Sequence, residues 1–372
     1  MRILTLMQCA NLGGMEQCTI LLLDEFLKMG HEVELFSLNE IGPLGPVLQQ
    51  HGISASALGY CGKWGWRSFF RVRRILRGTQ ADGLVMVGHN LMAMVAIGSL
   101  CRDHRVLCIH YHHPGVKPDW QWRLIYSVAA RQFRKVLFVS DYIMAEAIAI
   151  APFLAKRASM IGTPVPESIA ASTEIRRTAR RKLGIPADAQ VVGNAGWLIP
   201  RKRWDVFLDV AGKVARSVPG GVFLVAGNGP ERAKLEQKAK ALGIASQVTW
   251  LGWVENLADF YRSLDVMLFN SDWDAQPRTP LEAMSYGVPV VASILRGGTR
   301  EVITDDSIGV LLPTHNVEGL ARHVAALLQD RNLASELGKR GAQRVMEYCS
   351  PKRHAEAVLR AMELKCASTE KR

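Results

Sequence analysis

A short apolar run, a turn and then a helical stretch recur along nearly the whole chain, and this alternation passes through two separate cycles. Residues 2–7 read as a buried strand, Asn11-Leu12-Gly13-Gly14 as a turn, and residues 16–29 as a helix with apolar side chains at three- and four-residue spacing. Gly30-His31-Glu32 leads into a second strand at 33–36, and similar strands follow at 83–87, 106–109 and 136–139. Strands separated by helices favour parallel pairing, because each helix carries the chain back to the end of the sheet where it started. Pro164, Pro166 and a basic run over 176–182 interrupt the pattern, which restarts at 191–193 and continues through 222–226, 248–251, 266–269 and 288–292. The expectation is an α/β protein of two doubly wound, Rossmann-like lobes, with domains at 1–168 and 169–350 and a last helix near 351–365. At 372 residues the chain exceeds what one hydrophobic core usually supports, which agrees with two lobes.

Composition narrows the class further. Hydrophobic residues make up 48% and charged residues 22%, a balance that argues against extensive disorder. The seven cysteines are scattered, odd in number and never spaced C-x-x-C, so the sequence suggests neither a disulfide framework nor a zinc site, and a reducing compartment fits. The apolar start is short and runs into Gln8, so it reads as a first strand rather than a secretory leader. No run approaches the roughly eighteen apolar residues that span a bilayer, and a cytoplasmic chain, at most peripheral on the inner membrane, is expected. The formal charge is +12; residues 1–170 carry 17 basic and 12 acidic side chains and residues 171–182 carry five and one, so most of the excess lies in the first lobe and the segment after it. That distribution suits an anionic partner.

The most informative stretch runs from Asn270 to Ala292 and contains Asp272-Trp273-Asp274, Gln276-Pro277-Arg278-Thr279-Pro280 and Glu282. It follows a strand, opens a helix near Pro280 and ends in another strand. A helix start presents free N–H groups and a partial positive charge, which suits a diphosphate. Asp274 before that start and Glu282 two residues inside it place one carboxylate for sugar hydroxyls and the other for a ribose. A solvated carboxylate pair at a helix start is the simpler reading of the same residues. Asp272-Trp273-Asp274 also matches a D-x-D metal signature, but no further carboxylate or histidine completes an oxygen-rich shell, so no metal is expected.

This stretch resembles the E-x7-E region of retaining family 4 glycosyltransferases of the GT-B fold. The likeness extends through Gly13-Gly14-Met15-Glu16, Gly30-His31-Glu32-Val33, residues 196–202, Gly227-Asn228-Gly229-Pro230, Leu251-Gly252-Trp253-Val254 and Gly297-Gly298 before Glu301. It implies two lobes facing each other across a cleft, and a nucleotide-diphosphate sugar held mainly by the second lobe through Lys202, Arg201, Asp274, Pro277, Arg278, Thr279, Glu282, Gly229 and Trp253, with Gly14 on the first lobe. It implies Asp274, Lys202 and His110 as the catalytic set, a glycan or lipid-linked acceptor, and a last helix that returns to the first lobe. Two positions depart from the family pattern: Asp274 stands where the first glutamate is usual, and Trp197 where an arginine is usual, leaving Arg201, Arg203 or Arg278 to supply the second cation.

In the first lobe, Gly13 and Gly14 allow a phosphate to approach the helix start, although a plain tight turn explains them as well. The G-x-G-x-x-G fingerprint of nicotinamide binding is not present here. His110, His112 and His113 close a strand, where the ligand crevice of an open α/β sheet lies, and His110 fits the substrate-facing position best by resemblance. Residues 63–77 interleave aromatic and basic side chains. On a helix, Arg67, Arg71 and Arg74 share one face, with Trp66, Phe69, Phe70 and Leu76 expected on the other, a pattern suited to an anionic membrane surface. No nucleic-acid-binding motif accompanies it. A non-catalytic nucleotide-sugar binder and a sugar-nucleotide epimerase of the same two-lobe class remain alternatives.

Overall fold

The computed structural model describes residues 1–8, 13–59, 66–98, 100–109 and 117–363. It divides into two compact units, Met1–Pro164 with Cys349–Arg372, and Val165–Tyr348.

Unit 1 runs β1 (Arg2–Met7), α1 (Gly14–Lys28), β2 (Glu32–Ser37), α2 (Leu44–Gln50), β3 (Ser54–Ala57), α3 (Trp66–Gly78), β4 (Gly83–Val87), α4 (Leu91–Ala96), β5 (Arg105–Ile109), α5 (Asp119–Gln132), β6 (Lys135–Phe138), α6 (Asp141–Ile150) and β7 (Ala158–Met160). All seven strands pair in parallel in the order β3-β2-β1-β4-β5-β6-β7. The order reverses between β1 and β4. Right-handed crossovers therefore put α1 and α2 on one face and α3 to α6 on the other.

Unit 2 runs α7 (Thr173–Lys182), β8 (Val191–Ala195), α8 (Trp204–Ser217), β9 (Val222–Ala226), α9 (Arg232–Ala241), β10 (Val248–Gly252), α10 (Ala258–Ser263), β11 (Val266–Phe269), β12 (Trp273–Asp274), α11 (Arg278–Ser285), β13 (Val290–Ile294), β14 (Arg296–Gly297), α12 (Thr299–Val302), β15 (Val310–Pro313), α13 (Val317–Gln329) and α14 (Arg331–Cys349). Its main sheet is again parallel, in the order β10-β9-β8-β11-β13-β15. Strands β8 and β11, adjacent in space, mark the point where the order reverses.

The last helix, α15 (Pro351–Met362), belongs to unit 1 and packs on α1. Pro351 opens it, and apolar side chains recur at Ala355, Val358, Leu359 and Met362, all buried in the unit 1 core with Ile20, Leu23 and Phe26 of α1. Burying Val358, Leu359 and Met362 contributes roughly 1.5–3 kcal/mol each, as an upper bound. Glu363, in the left-handed region at φ 55°, ends the helix.

Two expectations about charge and amphipathicity need correction. The basic residues of α7 are consumed inside unit 2: Arg176 and Arg180 both hold Asp265 at 2.7 Å, Arg177 meets Asp188, Arg181 meets Glu174 and Lys182 meets Asp259. Their role is to fasten α7 against α10 and the start of β8, where Asp265 also accepts the Val191 N–H at 2.8 Å. On α3 the buried stripe is Val72 and Leu76, and Phe70 is 57% exposed on the same side as Arg67, Arg71 and Arg74, because only positions four residues apart reach the sheet.

Candidate active site

In an open parallel sheet the loops that leave neighbouring strands at the reversal point diverge to opposite faces, and the crevice between them is the natural ligand site. In unit 2 those loops follow β8 and β11. The first makes a short 3-10 turn over Pro200–Lys202, after which Arg203 adopts a left-handed conformation at φ 44° and caps α8. The second carries Asn270 to Pro277 into α11.

Backbone bonds stitch the two loops together. The Arg201 carbonyl accepts the Asp272 N–H at 2.8 Å and the Ser271 hydroxyl at 3.1 Å. Strand β12 then pairs in parallel with β14, and the Gly298 N–H reaches the Ala275 carbonyl at 2.9 Å. This registers Lys202 against Asp274, whose carboxylate Oδ2 lies 2.5 Å from the lysine Nζ, both side chains mostly buried. The ammonium also sits 5.1 Å from the centre of the Phe269 ring. Gly297, at φ 149°, runs so close under Asp274 that a Cβ there would overlap the Asp274 carbonyl.

Helix α11 starts at Arg278, with Pro277, which makes no side-chain cap bond, in the extended region before it. The start is two residues earlier than expected. Glu282 therefore lies more than a turn inside the helix, where Arg278 meets it at 2.6 Å and the Tyr261 hydroxyl donates to it at 2.6 Å. Burial and the adjacent Glu282 carboxylate push the Tyr261 phenol well above its ordinary pKa, so it stays a hydrogen-bond donor. Helix α10 thus supplies, through Tyr261, an orienting group for Glu282 that no spacing in the sequence marks.

The other cations divide by partner. Arg203 bonds Asp205 at 3.1 Å and Asp272 at 3.0 Å, which raises its pKa and takes Asp272 out of any D-x-D pair. Arg201 instead lies over the Trp273 ring, 5.4 Å from its centre, and has no carboxylate partner among the described residues. Of the three arginines considered for the second cation, Arg201 is the one not already paired with a carboxylate. Among the described residues no group of three or more His, Cys, Asp or Glu side chains is arranged to hold a metal ion.

The glycine loops after β8, β9 and β10 form the adjoining wall. The Leu198 N–H reaches the Asn228 carbonyl at 2.9 Å and the Gly227 N–H the Gly252 carbonyl at 2.6 Å. A side chain at Gly229 would collide with the Leu198 backbone, so its φ of 158° serves close packing of the two loops. Trp197 and Trp253 meet above them with ring centres 5.0 Å apart, and are 52% and 44% exposed. Sequence reasoning singled out each tryptophan separately but not their contact. It also missed Asn270, which follows β11 fully buried with neither amide atom hydrogen-bonded.

In unit 1 the start of α1 is already occupied by the protein's own negative charge. The buried Glu16 carboxylate folds back on Gly13, close enough that a Cβ there would lie 2.5 Å from it, and Gly14 is the first residue of the helix. His110, His112 and His113 lie outside the described residues. His89, at the end of β4, packs its ring 4.9 Å from Trp122; burial, with Lys117 adding to it, lowers its pKa to about 4, so it is neutral near pH 7.

A doubly wound pair of units with a cation, a carboxylate and a helix start at the reversal point of the second defines a GT-B fold. Residues 175–344 match the family described as glycosyl transferases group 1, and residues 12–168 match glycosyltransferase family 4; the chain belongs to these glycosyltransferases. It is 30% identical over 183 residues to the lipopolysaccharide core biosynthesis glycosyltransferase LpsE of Rhizobium meliloti, covering 49% of this chain and 52% of that one. It is 35% identical over 196 residues to the D-inositol 3-phosphate glycosyltransferase of Saccharomonospora viridis, covering 50% and 45%. The matched region spans about half the length of these curated relatives. Among solved structures, HepE of Anabaena in complex with UDP superposes with a TM-score of 0.84 at 19% identity, over 98% of this chain and 100% of that one.

Proposed function

We propose that the chain is a retaining, metal-independent glycosyltransferase that moves a hexose from a nucleotide-diphosphate sugar to a glycan or lipid-linked acceptor in envelope polysaccharide or lipopolysaccharide synthesis. The observation that carries this is the meeting of Lys202 and Asp274 at the strand-order reversal of unit 2, beside the start of α11. The relatives named for lipopolysaccharide core synthesis and the HepE complexes with UDP and UDP-glucose support the donor and acceptor classes.

In this reading the diphosphate meets the N–H groups of Arg278 and Thr279, with Pro277 fixing the entry of the chain. Lys202 and Arg201 neutralise the charge that grows on the departing phosphate. Asp274 accepts from the sugar hydroxyls and Glu282, steadied by Tyr261 and Arg278, accepts from the ribose. Gly229 allows close approach of the backbone, and the exposed Trp253 beside Trp197 offers an aromatic face to the base. The acceptor hydroxyl attacks the anomeric carbon as the carbon–phosphate oxygen bond breaks, and its proton passes to the leaving phosphate. No enzymic base is then needed. Both aspartates of the D-x-D tripeptide already hold cationic side chains, which supports a site that works without a divalent ion. Lipid-linked acceptors sit at a membrane surface, and the basic face of α3 supports a peripheral location on the cytoplasmic side. No helix among the described residues is long and apolar enough to cross a membrane.

The test is a thermal-shift panel of nucleoside diphosphates and their sugars on the purified chain, followed by transfer assays with the stabilising donor and NMR of the product anomer. Stabilisation by one diphosphate sugar and transfer with the donor's anomeric configuration kept is expected. Binding without transfer to any glycan or lipid acceptor, or isomerised donor without acceptor, would replace this reading with a binding protein or an epimerase.

A further inference from the structure

We propose that the outer side of the α3–α4–α5 layer of unit 1 is one continuous docking surface for an anionic lipid bilayer. Phe70, Trp120 and Leu124 enter the headgroup region, and arginines of α3 and α5 meet the lipid phosphates. This deepens the peripheral-membrane reading of α3 and rests on it. What the structure adds is that α3 does not act alone.

The sheet order places α3, α4 and α5 on the face opposite α1 and α15, and α4 packs between the other two. Each helix buries an inward stripe: Val72 and Leu76 on α3, Met92 and Ala93 on α4, and Trp122, Ile125, Tyr126 and Ala129 on α5. Each also presents a large apolar side chain outward. Phe70 is 57% exposed, Val95 41%, Trp120 64% and Leu124 47%. Trp120 and Leu124 stand one helical turn apart, so they project together. Leaving such area in water is unfavourable.

Charge on the same layer is predominantly positive. Helix α3 carries Arg67, Arg71, Arg73, Arg74 and Arg77 with no carboxylate, and α5 carries Arg123 and Arg131 against Asp119. None of Arg67, Arg71, Arg74, Arg77 or Arg123 has a carboxylate partner among the described residues. The contrast with α7 is informative, since the five basic side chains there are all paired and that helix is structural. Unpaired arginines around a protruding tryptophan, phenylalanine and leucine match what the interfacial region of an anionic bilayer offers: phosphate at the level of the guanidinium groups and hydrocarbon just below. A nucleic acid would use the arginines and the aromatic faces but gain little from Leu124 and Val95.

The experiment is sedimentation of the full chain with vesicles of phosphatidylcholine alone or with a third phosphatidylglycerol, at low and high salt. The wild type should bind the anionic vesicles only, and binding should weaken with salt. Trp120→Ala with Leu124→Ala, both exposed and outside the donor site, should weaken that binding about tenfold, and Arg74→Glu about fivefold or more. Donor-nucleotide stabilisation of these variants should be unchanged, which separates loss of docking from loss of folding and from failure of the transferase reading. If the wild type binds neither vesicle, the membrane reading falls; if it binds and the double variant binds equally well, the extension to α5 falls. Tighter binding to a single-stranded oligonucleotide than to anionic vesicles, indifferent to the double substitution, would assign the face to nucleic acid instead.

Discussion

The Lys202 ammonium lies 2.5 Å from the Asp274 carboxylate, so the cation and the anion at the centre of unit 2's crevice satisfy each other before any ligand arrives. Their loops leave β8 and β11, the neighbouring strands at which the sheet order reverses. In the reading proposed here a donor has to divide this pair, its phosphate taking the lysine and its hydroxyls taking the aspartate.

The two partners should therefore fail differently when removed. Lys202→Ala removes the cation and is expected to lower kcat/KM by about a hundredfold and to weaken diphosphate binding. Asp274→Asn keeps the shape but releases the lysine, so nucleoside diphosphate should bind as well or better while transfer falls at least tenfold. Calorimetry with the diphosphate alongside steady-state rates checks both; equal losses of binding in the two variants would contradict the division of roles.

Tyr261→Phe deletes one of the two groups that hold Glu282 among the described residues. A buried hydrogen bond to a charged partner is worth roughly 1.5–3 kcal/mol, so a drop of several degrees in Tm is expected. KM for the donor should rise severalfold with a smaller change in kcat, because Glu282 is assigned to binding rather than chemistry. Rates with saturating donor distinguish the two effects.

Gly297→Ala would press a methyl group into the Asp274 carbonyl. It should destabilise the protein by about 2 kcal/mol or more and reduce transfer beyond what the folded fraction accounts for, since Asp274 must move. Gly220→Ala is the control: it shares a positive φ of 84° but meets nothing within 4 Å. About 1 kcal/mol of stability and no catalytic change are expected there.

His354, buried on α15 with its Nδ1 3.3 Å from the Ile161 carbonyl, has its pKa lowered to about 4, chiefly by burial. An unfolded chain would protonate this residue near 6.5 and the folded one near 4. Its contribution to stability is therefore full above about pH 6.5 and is lost as pH falls toward 4, at about 1.4 kcal/mol per pH unit in that window. Thermal melts from pH 7.5 to 4.5 should show this decline, and His354→Asn should flatten part of it. His89, lowered in the same direction, adds to the remaining slope.

The long buried strands were legible because a parallel sheet covered on both faces needs unbroken apolar runs, as at Val222–Ala226 and Val266–Phe269. The edge strands β3 and β7 and the two-residue β12 and β14 were not, because short or half-exposed segments such as Ser54–Ala57 and Ala158–Met160 carry no such run. At the candidate site, the sequence pointed to Lys202, Asp274 and Glu282 as separate charges. That Lys202 faces Asp274 while Glu282 faces Tyr261 and Arg278 depends on loop geometry set by Gly297, Ser271 and the left-handed Arg203, none of which periodicity reports. The outward turn of Phe70 was missed for a related reason: alternating aromatic and basic residues fix a helix but not which stripe the sheet accepts.

The most direct measurement is an experimental structure of the chain bound to the nucleoside diphosphate that stabilises it most. The account predicts the two phosphates within hydrogen-bonding reach of the Arg278 and Thr279 N–H groups and of Lys202 Nζ, with the Lys202–Asp274 contact opened. Phosphates located anywhere else, with that ion pair intact, would contradict it.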